Sequence, residues 1–74
     1  MNFFDAEIKI FPQPVKGGIV EKAIAADQPG RVQWQATSWP ARFHGDSQTV
    51  CQRGEQVIVL GMEGITLLVC KKVF

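Results

Sequence analysis

The residue types that support nucleophilic catalysis come together at one place in this sequence, residues 44–47. His44, Asp46 and Ser47 are the three types of a catalytic triad, in which a carboxylate orients a histidine that takes a proton from serine. A working triad brings distant positions together in space, and neighbours within one loop rarely have that geometry. The surrounding glycine, aspartate and serine favour a turn-rich loop. We therefore expect no catalytic site here, and we expect that the chain is not an enzyme.

Metal, cofactor and disulfide chemistry would need spacings that the chain does not show. One histidine and two distant cysteines, Cys51 and Cys70, give no Cys-x-x-Cys or similar ligand pattern. Gly17-Gly18 and residues 61–64 lack the lysine and following helix of a phosphate-binding loop. We predict no metal and no cofactor. Both cysteines are predicted to be unpaired thiols in a cytoplasmic protein.

Aromatic and basic residues raise the possibility of nucleic-acid binding. Trp34, Trp39 and Phe43 could stack on the bases of a single strand. The cations that could line such a surface are Arg31, Arg42, His44, Lys71 and Lys72. However, the net charge is +1 and the pI is about 7.8, whereas dedicated nucleic-acid-binding domains typically exceed a pI of about 9. Binding to single-stranded nucleic acid is therefore the alternative function, not the favoured one.

The tryptophans lie in a stretch, residues 30–43, whose pattern predicts a β-hairpin. Apolar and polar residues alternate before Ala36 and again after Ser38, which is typical of strands with one buried face. Residues 36–38 are of the right length and polarity for the connection. The inner face would carry Val32, Trp34, Trp39, Ala41 and Phe43.

Three further strands are predicted around this hairpin. Residues 56–60 and 65–70 are rich in β-branched and apolar residues and are bounded by glycine turns. Residues 19–26 fit a helix or a strand equally well from the residues alone. The core is predicted to contain Val32, Trp34, Trp39, Phe43, Val57, Val59 and Leu67, with Ile65 and Val69 also inside.

A chain of 74 residues forms one domain, and closing the sheet into a barrel would avoid exposed strand edges. Five short strands fit a small barrel of the oligonucleotide/oligosaccharide-binding (OB) type. We thus predict an all-β, five-stranded OB-type barrel over residues 17–74, preceded by an extended N-terminal tail or linker over residues 1–16. Pro12 and Pro14 within that tail favour extended chain. No apolar run is long enough to span a bilayer, and no signal peptide is expected.

The order of short motifs resembles the soluble C-terminal domain of NfeD-like proteins over about residues 17–72. The matching pieces are Gly18, Ala23, Pro29-Gly30-Arg31-Val32, Trp39-Pro40-Ala41-Arg42, residues 54–59 and residues 64–69. This resemblance implies an OB barrel and favours a strand for residues 19–26. It also implies a protein-interaction role with a membrane protein of the stomatin/prohibitin type, or within a larger membrane-associated assembly. A protease domain found in some longer relatives is not part of the likeness.

Apolar residues left over after the core is filled suggest where a partner binds. Ile58, Leu60 and Leu68 are predicted to face outward, and Phe3, Phe4, Ile8 and Ile10 have no assigned place. Either the tail covers this outer patch, or the patch contacts a protein partner or another copy of the chain. We favour contact, with Ile58, Leu60, Leu68, Phe3 and Phe4 as the predicted partner surface.

Overall fold

A computed structural model describes residues 7–45 and 50–72, and it shows five β-strands closed into a barrel. The strands are β1 (Ile8–Lys22), β2 (Gly30–Trp34), β3 (Thr37–Phe43), β4 (Gln56–Glu63) and β5 (Thr66–Lys71). Their order around the barrel is β1-β2-β3-β5-β4, with β4 closing onto β1. Only β3 and β5 are parallel among these pairs. The predicted all-β class and five-stranded OB-type barrel are confirmed.

Strands β2 and β3 form the predicted hairpin, with Val32 opposite Trp39. The connection is shorter than expected, because Thr37 and Ser38 already belong to β3. Gln35 and Ala36 alone make the turn, and both have positive φ, 52° and 62°. Two left-handed residues are the mark of a type I′ turn, whose twist matches that of the flanking strands. Neither residue is the usual Asn or Gly, so this turn was hard to locate from composition.

The core fills the barrel with side chains from every strand and from two loops. Its buried members are Val20, Ile24, Val32, Trp34, Ala41, Phe43, Cys51, Val57, Val59, Leu67 and Val69. Trp39 is half-buried and packs against this cluster together with Phe11, Val15 and Met62. Ile24 and Cys51 enter the core from outside the strands, where they exchange backbone hydrogen bonds of 3.0 and 2.9 Å.

The first strand begins earlier than the sequence suggested. Residues 8–16, expected to be tail or linker, are part of β1, and Ile8 to Ile10 pair with Glu63 to Gly61. Pro12 and Pro14 lie in an irregular stretch between two paired positions, Ile10 and Val15. Proline has no N–H to donate, so an interruption of the ladder is where a strand tolerates it. Residues 19–22 are strand, as the family resemblance favoured.

The pairing of β4 with β5 corrects two expectations about the last strand. Ile65, predicted to fill the interior, is 70% exposed and precedes β5. Leu68, predicted to face outward and contact a partner, is 0% exposed. Leu67, Leu68 and Val69 are consecutive and all buried, so both faces of β5 are covered at this point. Leu68 pairs with Gly61, just past a bulge in β4 between Val59 and Gly61, and it lies outside the core cluster. It is therefore on the outer face but covered there, which sequence periodicity cannot show.

Candidate functional site

The strongest candidate for a contact site is the outer surface of β1 and β4, formed by Ile8, Ile10, Ile58 and Leu60. Met62 packs against the core, so its neighbours in β4, Gly61 and Glu63, face outward. Ile10 pairs with Gly61 and Ile8 with Glu63, and paired residues share a face. Ile8 is 48% exposed and Ile10 is 53% exposed. Two adjacent isoleucines are thus open to solvent on one side of the sheet.

The rest of this outer surface lies further along β4. Ile58 and Leu60 are half-buried, and Leu60 lies at the bulge. Gly61 allows β1 to approach closely, because a Cβ at this position would lie 2.9 Å from Ile10 Cα and would overlap the backbone oxygen of Lys9. The glycine therefore sets the distance at which Ile10 lies beside β4.

The exposed residues of this surface differ from the partner surface predicted from the sequence. Leu68 is buried and cannot contact a partner as long as the barrel is intact. Phe3 and Phe4 lie outside the described residues. Ile58 and Leu60 remain available in part. Ile8 and Ile10, which had no assigned place, supply most of the exposed apolar area, and the alternation of residues 7–11 was the sequence signal for this face.

An ion pair borders the outer surface. Arg42 Nη2 lies 2.6 Å from Glu63 Oε1, with both side chains partly exposed. Arg42 is in β3 and Glu63 is in β4, so the pair crosses the outer face of β5, which lies between them. Arg42 is the cross-strand neighbour of the buried Leu68, so the two side chains lie side by side on the outer face. The site thus combines exposed isoleucines with a charged rim, as in many protein-contact surfaces.

The aromatic rings within residues 7–45 and 50–72 do not form an open stacking platform. Trp34 is 7% exposed, and Phe11 stacks on it with ring centroids 6.2 Å apart. Trp39 packs edge-on against Trp34 at 6.4 Å, and its indole N–H donates to the backbone oxygen of Trp34. Since these faces are occupied by other rings or by the core, bases have little aromatic surface to stack on.

Four of the five basic residues named for nucleic-acid binding, all except His44, have a polar or acidic neighbour. Arg31 donates to Ser38 Oγ at 3.0 Å, and Arg42 is paired with Glu63. Lys71 Nζ lies 4.0 Å from a Glu55 oxygen, and Lys72 Nζ donates to Gln56 Oε1 at 2.9 Å.

The last two pairs line a shallow surface depression of about 310 Å³ formed by Glu55, Gln56, Lys71 and Lys72. Lys71 lies near the Glu55 carboxylate and Lys72 donates to the Gln56 amide, so both lysines of the depression have a neighbouring acceptor.

The residues considered for catalysis do not form a described site. His44 is exposed, and its backbone N–H donates to Val69 O at 3.1 Å. Asp46 and Ser47 lie outside the described residues. Across residues 7–45 and 50–72, no three metal-binding side chains come together.

Both cysteines are free, as predicted. Cys51 is fully buried and Cys70 half-buried. Burial raises the pKa of both thiols, and Glu55 adds to the rise in the pKa of Cys51.

Comparisons with known proteins bear on what the barrel does. No protein-family model matches the chain, and no curated protein matches it. In structure, the chain is similar to the C-terminal domain of a stomatin operon partner protein from Pyrococcus horikoshii, with a TM-score of 0.64 and 26% identity. The alignment covers 77% of this chain and 83% of that domain. The predicted resemblance to the NfeD-like soluble domain is confirmed. Within the described residues, no helix has the length and hydrophobicity to cross a bilayer.

Proposed function

We propose that this barrel is a non-enzymatic protein-interaction module whose partner is a stomatin- or prohibitin-like membrane protein. The observation that carries the proposal is its structural likeness to a domain named as the operon partner of stomatin. On this proposal, the chain works in the cytoplasm and reaches the membrane through its partner. It would also form part of a larger membrane-associated assembly.

The outer surface of β1 and β4 is proposed as the contact. Ile8 and Ile10 provide the exposed apolar area, and burying such side chains is the main favourable term in association. The Arg42–Glu63 pair at the rim offers both a donor and an acceptor to a partner's polar groups. Ile58 and Leu60 extend the surface along β4.

The proposal is tested by capture of the soluble region of a stomatin-like protein from the same organism. The test variants are Ile10→Ser and Leu60→Ser, each checked by circular dichroism for a native β spectrum. The matched control is Val50→Ser, which removes an apolar side chain that is 46% exposed but lies outside β1 and β4. We expect each test variant to weaken binding of the bait about tenfold or more, and the control to bind normally.

Two results would count against the proposal. If the unmodified chain does not bind the stomatin-like bait, the partner class is wrong. If it binds and the two test variants bind equally well, the partner is right but the contact lies on another face.

A further inference from the structure

Among the described strands, the first half of β1 is paired along one edge only. Residues 8–10 pair with β4 on one side, whereas β2 pairs only with Ile19, Val20 and Lys22. Within the described residues, no strand pairs with the other edge of residues 8–10. Backbone groups on a strand alternate between its two sides, so about half of those on this segment point away from β4. Such an edge can accept a further strand.

The residues on this edge are suited to a second copy of the same segment. Strand pairing between two copies related by a two-fold axis is antiparallel, and paired residues must share a face. One residue must therefore lie next to the two-fold axis, directly opposite the same residue of the other copy. The residues available as that centre are Ile8, Lys9 and Ile10.

Charge and the position of Pro12 select among the three registers. Centring the pair on Lys9 would place two lysines opposite each other, and like charges directly opposite are destabilising. Centring it on Ile10 would place Ile8 opposite Pro12, which has no N–H to donate. Centring it on Ile8 places Glu7 opposite Lys9 of the other copy, twice, on one face of the sheet, and the two Ile8 side chains side by side on the other face.

The state of these side chains agrees with the third register. Glu7 and Lys9 are exposed, and neither makes an ion pair within the described part of the chain. Ile8 and Ile10 are both about half-exposed, so pairing would bury apolar surface as well as strand edge. Pro12 and Pro14 then limit the pairing to this short segment.

We propose that the chain forms a symmetric dimer by antiparallel pairing of its residues 7–9 with those of a second copy, centred on Ile8, so that Glu7 of each chain faces Lys9 of the other. The two barrels would share one continuous sheet in which the first strands lie side by side. This interface uses the edge of β1 and borders the proposed partner contact on the outer face of β1 and β4, with Ile8 at the boundary of the two.

Charge reversal tests this register. Sedimentation equilibrium of the full chain gives the dimer dissociation constant for the unmodified protein and for Glu7→Lys, Lys9→Glu and the double variant. Each single change replaces two attractive pairs by two repulsive ones, so we expect dissociation constants about tenfold or more higher. The double variant restores opposite charges at both positions, and we expect its dissociation constant to return near that of the unmodified protein.

Two changes elsewhere on the same strand serve as matched controls. Lys16→Glu and Glu21→Lys alter net charge by the same amounts at exposed positions of β1 outside residues 7–9. We expect both controls, and Leu60→Ser, to dimerise normally. A monomeric unmodified protein at all concentrations would overturn the proposal, whether the edge is covered by the chain itself or reserved for another protein. So would single reversals that act no more strongly than the controls, or a double variant that stays dissociated.

Discussion

The indole N–H of Trp39 donates a 3.1 Å hydrogen bond to the backbone oxygen of Trp34, five residues earlier. The bond spans the Gln35-Ala36 turn, so the two tryptophans fasten the end of the hairpin as well as packing edge to face. Phe11 of β1 stacks on Trp34, and this contact connects the first half of β1 to the hairpin. Trp34 is thus the common member of an aromatic cluster that joins three strands.

We expect Trp34→Ala to cost more stability than Trp39→Ala. Trp34 is buried and touches both other rings, so its loss should lower the free energy of unfolding by about 3–5 kcal/mol. Trp39 is half-buried, so truncating it removes less contact. Urea denaturation of both variants measures the difference. Trp39→Phe is the control, because it keeps a ring and removes the hydrogen bond, at an expected cost of about 1 kcal/mol. Equal losses for both alanine variants would contradict this ranking.

The features that the sequence predicted correctly depend on the alternation of apolar and polar residues at neighbouring positions. The alternation of residues 30–43 depends on neighbouring positions, and the hairpin forms where that alternation lies. The exposure of Ile65 and the burial of Leu68 depend instead on where β5 starts and on what covers its outer face, which are set by contacts between distant residues. Ile24 and Cys51 become core through a contact between two loops, which the ambiguous pattern of residues 19–26 and the loop around Cys51 did not indicate.

The candidate site was predictable only in part for the same reason. The short alternation at residues 7–11 indicated an extended piece, but the prolines that follow suggested a linker. The structure places the prolines in a gap between paired positions, and this lets β1 continue past them. Ile58 and Leu60 could be placed on the outside from the strand period alone, whereas Ile8 and Ile10 could be placed there only through their partners in β4.

Gly61→Ala is expected to push the first half of β1 away from β4. The added Cβ would overlap the Lys9 backbone oxygen and approach Ile10 Cα at 2.9 Å, and backbone cannot move aside as a flexible side chain can. We expect a loss of about 1–3 kcal/mol in the free energy of unfolding, as for other overpacked positions. Hydrogen exchange should show faster exchange of the amides of residues 8–10. Unchanged exchange there would show that the strands are not in close contact at this glycine.

Gly54→Ala provides a contrast for that experiment. Gly54 has φ of +91°, and a Cβ added there would meet no other atom within 4 Å, so the cost of the substitution is conformational and not steric. We expect this variant to lose stability without faster exchange in residues 8–10, which lie in a different part of the barrel.

The two thiols should differ in reactivity, although the pKa of both is raised. Cys51 is fully buried, so iodoacetamide should label it only when the barrel opens. Cys70 is half-buried and should react in the folded state, but slowly at pH 7, because burial raises its pKa above the ordinary 9.0 and leaves little thiolate. Mass spectrometry after timed labelling, without reductant, gives both rates. Rapid labelling of Cys51 under native conditions would be inconsistent with its place in the core.

The same pKa shifts predict loss of stability at alkaline pH. Both thiols have a higher pKa folded than unfolded, so the folded state holds these protons more tightly. Their contribution is fully present below the unfolded pKa of about 9 and is lost as pH rises through the folded pKa. We expect the melting temperature to fall above about pH 9, and the fall to be smaller in Cys51→Ala than in the unmodified chain, after allowing for the lower starting stability of the variant. An equal fall in the melting temperature of both proteins would show that groups other than Cys51 cause the loss of stability at alkaline pH.

The Arg42–Glu63 pair is expected to act more through the arginine stem than through its charge. Both side chains are about one-third exposed, and exposed pairs contribute about 1 kcal/mol or less. Glu63→Gln should therefore lower the free energy of unfolding by no more than about 1 kcal/mol, with the loss shrinking as salt is added. Arg42→Met keeps an apolar stem beside Leu68 and should behave like Glu63→Gln, whereas Arg42→Ala uncovers Leu68 and should cost more. Urea denaturation at low and high salt separates the two effects. If Arg42→Met and Arg42→Ala lose the same amount, the stem does not cover Leu68, and the burial of this leucine has another source.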